Sequence, residues 1–277
     1  MSQTLEETVM DSQQANAASR AAWEANAAHW DDYMGAEGND FVNVLIWPAV
    51  QPLLNVKPGQ RILDAACGNG MYARKLGARG ADVVAFDFSH PLIERARAYP
   101  HGDQGAIAYH VLDATDEGML RALGEGTFDA VSCQMALMDM PEIAPLMRAA
   151  YALLKPGGCF VFSLVHPAFF QTNAIRFAEM VEREGELVTV YGMKITQYMT
   201  PYTAWGSAIP GQPEVQPYFD RPLHVTLGAG FAAGFVLDAL EERAFPPLHP
   251  QGNPTRPLSW GANFSDIPLV LVARLRR

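Results

Sequence analysis

The sequence predicts an α/β fold, a mostly parallel sheet covered by helices on both faces, and three observations predict it. From Arg61 onward, short apolar runs at 61–65, 82–87, 107–112, 128–133 and 158–164 alternate with helical stretches near 69–79, 90–99, 115–123 and 141–154. Strands joined by helices of that length form right-handed βαβ units, which bury a parallel sheet on both sides. Of the 277 residues, 49% are hydrophobic and 18% charged, enough to fill such a core. That composition excludes a disordered chain or a collagen-like repeat.

Residues 1–12 are polar and expected to be loose. From Gln13 to Met34, Ala18, Ala21, Ala22, Ala25 and Ala28 recur at helical spacing, and Trp23 and Trp30, seven apart, share one face. A second helix is expected over 40–54, with Asp40 as N-cap and Pro48 as a kink. Together 13–56 make an N-terminal helical cap. Lys57-Pro58-Gly59-Gln60 turns the chain into the core, 57–166, where Gly157-Gly158 ends the last helix before the fifth strand.

Residues 167–225 interrupt the pattern with six prolines and nine aromatics. A long insertion of that kind reads as a lid or substrate cap. The core resumes over 226–277, with a helical piece near 225–233 and strands near 235–240 and 268–275.

Charge and cysteines narrow the classes further. The net charge of −10 disfavours nucleic acid or an anionic membrane as partner. The basic cluster Arg274, Arg276 and Arg277 reads as a solvated end. Cys67, Cys133 and Cys159 are odd in number and lack Cys-x-x-Cys spacing, against a disulfide framework or a cysteine zinc site. The N-terminus is acidic where a signal peptide is basic. A cytoplasmic protein with no metal is the expectation.

The strongest local signal is Ile62-Leu63-Asp64-Ala65-Ala66-Cys67-Gly68-Asn69-Gly70, a strand entering a glycine-rich turn that opens a helix. Gly68, Gly70 and Ala73 also satisfy the G-x-G-x-x-A spacing of a dinucleotide loop. Two acids favour a different ligand. Asp64 ends the first strand, where a carboxylate repels a pyrophosphate and suits a cationic group. Asp87 ends the second strand, where a carboxylate accepts both hydroxyls of a ribose. A ligand with a ribose and a positive group but no phosphate satisfies both, and S-adenosylmethionine is one.

Asp64 to Gly70 resembles the first motif, D/E-x-G-x-G-x-G, of the class I S-adenosylmethionine-dependent methyltransferases, with Ala66 in place of the first glycine. Phe86-Asp87-Phe88-Ser89 and the helix from Pro91 resemble the second. Leu112-Asp113-Ala114 matches the acid placed against the adenine amine. Phe128-Asp129-Ala130-Val131 resembles the fourth strand, Leu154-Lys155-Pro156-Gly157-Gly158 the turn into the fifth, and Ala233-Gly234-Phe235 the start of the sixth. The resemblance implies a three-layer, Rossmann-like sheet of seven strands, the last one antiparallel. It implies that Asp64 orients the cofactor's amino group, that Ala66, Gly68, Asn69 and Gly70 form the loop beneath it, and that Asp87 and Phe88 hold the ribose. Asp113 and Ala114 would contact adenine, Gln134 and Met135 the methionine side, and Tyr33 would close over the carboxylate end.

Methyl transfer from a sulfonium is an in-line displacement, so the protein supplies alignment and water exclusion, with a base only for an acceptor that must lose a proton. His166, directly after the fifth strand, is the candidate base, because the C-terminal strand ends face the ligand crevice. Trp30, Met138, Tyr198 and His224 are candidate acceptor contacts. Asp139 reads as an N-cap for the helix after Pro141. The Asn/Asp-Pro-Pro-Tyr/Phe and Pro-Cys motifs of nucleic-acid methyltransferases do not occur in the sequence. The aromatic cap and Met135, Met138 and Met140 suit a small apolar or aromatic acceptor. Two other readings stand beside this one: a nicotinamide-dependent oxidoreductase, and a non-catalytic binding subunit with the same fold.

Overall fold

The computed structural model describes residues 10–100, 105–247, 258 and 263–277; most of the stretch expected to be loose, 1–9, lies outside them. Helix α1 spans Ser12–Met34 and opens with a capping box in which Asp11 and Gln14 satisfy each other's backbone N–H groups. Ordered helix therefore begins at Ser12. The next segment departs from expectation. Asp40 already has helical dihedrals and makes no side-chain cap; Asn39 Oδ1 accepts the Val42 N–H at 3.2 Å instead. Phe41–Ile46 winds as a π-helix, closed by a Trp47 N–H to Val42 carbonyl bond. Pro48 sits at the start of α2 (Trp47–Leu54) and lacks the N–H that an α-turn would give back to Val44. The proline sets a junction between two helix types.

The main sheet contains β1 (Arg61–Ala65), β2 (Asp82–Asp87), β3 (Ile107–Val111), β4 (Phe128–Gln134), β5 (Leu154–Val165), β10 (Val236–Arg243) and β11 (Val270–Arg276). Their spatial order is β3-β2-β1-β4-β5-β11-β10, with β11 antiparallel to both neighbours. This is the seven-stranded, mostly parallel sheet expected. Four helices connect the first five strands: α3 (Met71–Gly77), α4 (His90–Ala98), α5 (Glu117–Arg121) and α6 (Ala144–Leu153). The order reverses between β1 and β4, the position where open α/β sheets form their ligand crevice.

Strand alternation separates two cores. Ile62, Val83, Ala130 and Val161 pack on one face with Leu53, Leu76 and Ile93. Leu63, Phe86, Val131 and Phe160 pack on the other with Leu120, Leu146 and Leu227. β5 starts four residues earlier than expected. Gly157, at φ 78°, belongs to an irregularity within the strand: Phe128 pairs with Leu154, but Ala130 pairs with Cys159. The extra residues form a bulge beside Gly157-Gly158 rather than a turn before the strand.

The insertion folds as two antiparallel ribbons outside the sheet. One joins β6 (Ile175–Arg183) to β7 (Glu186–Lys194), the other β8 (Tyr202–Gly206) to β9 (Gln216–Asp220), before α7 (Leu223–Ala233) returns the chain to β10. The C-terminal arginines are tied down. Arg274 and Arg276 pair with Asp238, and Arg277 donates to the Leu154 carbonyl. Among the described residues no helix is long and apolar enough to cross a membrane.

Candidate active site at the glycine loop and the insertion

The loop after β1 takes three left-handed steps, with Ala66 at φ 53°, Gly68 at 57° and Gly70 at 76°. Ala66 tolerates this conformation at a cost of about 1 kcal/mol. Gly70 has no such latitude, because a Cβ there would lie 2.5 Å from the Tyr109 hydroxyl. At Gly68 a Cβ would meet only the Trp30 indole nitrogen, 3.9 Å away, so this side of the loop opens into space.

Asp87 fixes the loop to β2. One carboxylate oxygen accepts the Gly68 N–H and the other the Ser89 N–H, both at 2.9 Å. The residue is 5% exposed, and burial pushes its carboxyl up to about 6. Asp64 is 1% exposed, and burial, opposed by hydrogen bonds from Ser132 and Ala73, pushes its carboxyl up to about 7. Its Oδ2 has no hydrogen-bond partner. Burial would also raise the Asp113 carboxyl. Hydrogen bonds from Thr115 and Asn16 and the Arg20 guanidinium outweigh that and hold it below the ordinary range.

A cavity of about 900 Å³ runs from this loop to the insertion. Its walls include Tyr33, Ala66, Gly68, Asn69, Asp87, Phe88, Asp113, Ala114, Gln134 and Met135. Met135, like Ala66, is a non-glycine residue with positive φ, 55°, where the chain leaves β4. Trp30 lines the cavity too, its indole nitrogen 3.9 Å from where a Cβ on Gly68 would lie. Met138 lines it as well. The roof there comes from the insertion, with Arg176 and Met193 of the first ribbon and Trp205, Gln216, Tyr218 and Asp220 of the second.

Five expected site residues are not in the cavity wall. Asp64 lies beneath the loop, and Gly70 serves as the left-handed N-cap of α3. Tyr198 accepts the Leu223 N–H at the start of α7, and His224 is exposed on that helix. His166 is 4% exposed with both ring nitrogens engaged: Nδ1 accepts the Ala168 N–H, and Nε2 lies 2.7 Å from Glu242. Burial lowers its pKa although Glu242 opposes the shift. The imidazole holds the chain leaving β5 against β10, which is a structural task.

Sequence reasoning assigned Asp139 to a helix cap, and the structure corrects this. Helix α6 starts at Ala144 with Ile143 as its cap, whereas Asp139 ends a 3-10 turn over Leu137–Asp139. It is 7% exposed and lines the cavity, held by Gln216 Nε2 at 2.9 Å and by a Trp23 hydrogen bond. Burial, opposed by those two donors, pushes its carboxyl up to about 8. The signal was an acid among apolar residues just past β4, in Ala136-Leu137-Met138-Asp139-Met140. Gln216, Tyr218 and Asp220 left no comparable trace, because only the ribbon's folding carries them to the site.

Among the described residues four carboxyls are raised, and Asp87, Asp64 and Asp139 imply a pH dependence with a definite sign that Asp220, raised by burial, shares. Between the ordinary aspartate value of 3.8 and about 6, 7 and 8 respectively, the fold holds protons that the unfolded chain has released. Stability of the ligand-free protein therefore falls as pH rises through that window and levels off above about 8. His166, lowered from 6.5, acts oppositely below that value but is one group against four. Thermal melts should give a higher midpoint at about pH 6 than at about pH 9; the reverse order would refute the burial of these carboxyls.

An open α/β sheet with a glycine loop after its first strand and a ribose-level acid after its second belongs to the nucleoside-cofactor class of Rossmann-like folds. A family described as methyltransferase domain matches residues 63–162. The ubiquinone biosynthesis O-methyltransferase of Xanthomonas campestris pv. campestris is 35% identical over 128 residues, 46% of this chain and 52% of that protein. That of Alkalilimnicola ehrlichii is 32% identical over 147 residues, 53% of this chain and 58% of that one. The chain spans about half the length of the curated relatives it matches. A solved S-adenosylmethionine-dependent methyltransferase from Mesorhizobium loti superposes with a TM-score of 0.62 at 26% identity, covering 83% of this chain and 97% of that one. Residues 63–162 thus match the methyltransferase-domain family, and the sheet has the fold of that S-adenosylmethionine-dependent methyltransferase.

The residues present fit that cofactor. The Gln134 Oε1 atom, in the cavity wall, is a buried acceptor without a donor, matched to a ligand that brings an ammonium group. Gly68 leaves the loop open toward the cavity, and the volume exceeds what the cofactor alone requires.

Proposed function

We propose that this protein transfers a methyl group from S-adenosylmethionine to oxygen, nitrogen or carbon of a small, apolar or aromatic molecule. The observation that carries the reading is the continuous cavity, whose wall runs from the glycine loop to Met138, Met140, Phe170, Trp205 and Tyr218. When bound, the cofactor supplies a methyl carbon already activated by its positive sulfur. In this reading Asp87 accepts the ribose hydroxyls, Asp113 and Ala114 flank the adenine, and Gln134 accepts from the ammonium. Gly68 lets the backbone approach. Phe170, Trp205 and Tyr218 hold the acceptor and keep water away from the reacting atoms. Three buried, free thiols suit a reducing cytoplasm.

Titration calorimetry with S-adenosylhomocysteine tests this directly. Micromolar affinity, about −8 kcal/mol, is expected. Absence of binding would refute the proposal, and the same titration with NAD would then separate the nicotinamide reading from a non-catalytic one.

A further inference from the structure

Asp139 is a buried carboxyl held in the cavity wall. Three separate parts of the chain converge on it: Trp23 of α1, the turn after β4, and Gln216 of β9. Its own carbonyl accepts the Ser19 hydroxyl at 2.9 Å, so backbone and side chain are both fixed. Among the described residues no cation bonds the carboxylate. Arg221, close by in sequence to β9, gives its hydrogens to the Leu137, Phe219, Met140 and Pro141 carbonyls. A buried carboxylate without a counter-cation is costly, and a helix cap or an apolar side chain would serve stability better. The ionisable groups around it are Cys133 of β4, Asp87 of β2, and Tyr218 and Asp220 of β9. Carboxylates at this end disfavour an acceptor that arrives as an anion. A neutral acid is favoured over it and loses its proton on site, whereas an acceptor ionised in advance binds more weakly but needs no base. The surrounding Met138, Trp205 and Tyr218 present flat apolar surface to a ring.

Resting on the methyltransferase reading, we propose that Asp139 is the base that takes the proton of a ring hydroxyl, and that the acceptor is a phenol-type compound. The hydroxyl oxygen attacks the methyl carbon, and the carbon–sulfur bond breaks with its electron pair left on sulfur. The hydroxyl proton passes to the Asp139 carboxylate and then to solvent. The environment suits this task. A carboxyl raised to about 8 lies about two units from an ordinary phenol near 10, whereas an unperturbed aspartate lies about six units away.

The test uses labelled S-adenosylmethionine with 4-methylphenol, catechol, 4-nitrophenol and benzylamine as probes. Wild type is expected to methylate the phenols and not the amine, with kcat on 4-methylphenol rising with pH about a half-point near 8. Asp139→Asn should lose about 100-fold or more in kcat on 4-methylphenol with little change in KM, and lose the pH-dependent rise. On 4-nitrophenol, ionised in advance, the variant should stay within about tenfold of wild type. Gln216→Leu removes a donor from the carboxylate while keeping the base, and should move the half-point upward. Calorimetric binding of S-adenosylhomocysteine should match wild type in both variants.

Equal losses across the phenols, turnover of the amine alone, or an unmoved half-point in Gln216→Leu would overturn the proposal. So would failure of every phenol in a protein that binds S-adenosylhomocysteine, which leaves the methyltransferase reading standing. Failure of the wild type to bind S-adenosylhomocysteine would remove that reading itself.

Discussion

Replacing Asp87 with Ala is expected to weaken S-adenosylhomocysteine binding by about 100-fold or more. The carboxylate anchors the loop through the Gly68 and Ser89 N–H groups, and each charge-assisted bond of this kind is worth about 1.5–3 kcal/mol. Losing one such bond and the ribose acceptor together costs about 3 kcal/mol, or two decades of affinity. Asp87→Asn keeps an acceptor oxygen for one N–H and should fall between. Calorimetry on the three proteins checks the order; a change of less than about threefold in Asp87→Ala would show that neither loop nor ribose depends on it.

Gly70→Ala should be the most damaging single-atom addition in the core loop. The residue holds φ 76°, and a Cβ would meet Tyr109 at 2.5 Å from its hydroxyl and under 3 Å from its ring. Tyr109 is buried on β3 and its hydroxyl has no partner, so the ring has nowhere to retreat. Backbone strain of about 1–2 kcal/mol and overpacking of about 1–3 kcal/mol add to a loss of about 2–5 kcal/mol. Gly59→Ala is the comparison, with φ 80° but nothing within 4 Å of the added atom. Urea unfolding should show a loss of only about 1 kcal/mol there. Similar losses at both positions would mean that the Tyr109 contact is not what constrains Gly70.

The sheet was legible because its central strands, β1, β4, β5 and β11, are largely buried on both faces and read as continuous apolar runs. Asp64 and Asp87 stood out for the same reason, as acids closing such runs. What stayed illegible depended on distant partners. His166 follows a strand whose end faces the crevice, and only the Glu242 contact across β10 reveals that its ring is committed elsewhere. Asp139 precedes a proline as a cap does, yet the helix starts five residues later, and Gln216 and Trp23 claim the side chain. The π-helical winding before Pro48 follows from one missing N–H, whose effect on the preceding six residues no periodicity announces.

Helix α1 has a consequence for how the two ends of the cavity communicate. Asn16 and Arg20 reach Asp113, Ser19 and Trp23 reach Asp139, Asn26 is bonded both ways to Glu214, and Asp31 holds Asn69. One rod thus bears on the adenine side, the glycine loop, the proposed base and the roof at once. A shift of the rod on occupancy of one end would be carried by these contacts to the other, and by reciprocity a molecule at either end would then alter affinity at the other.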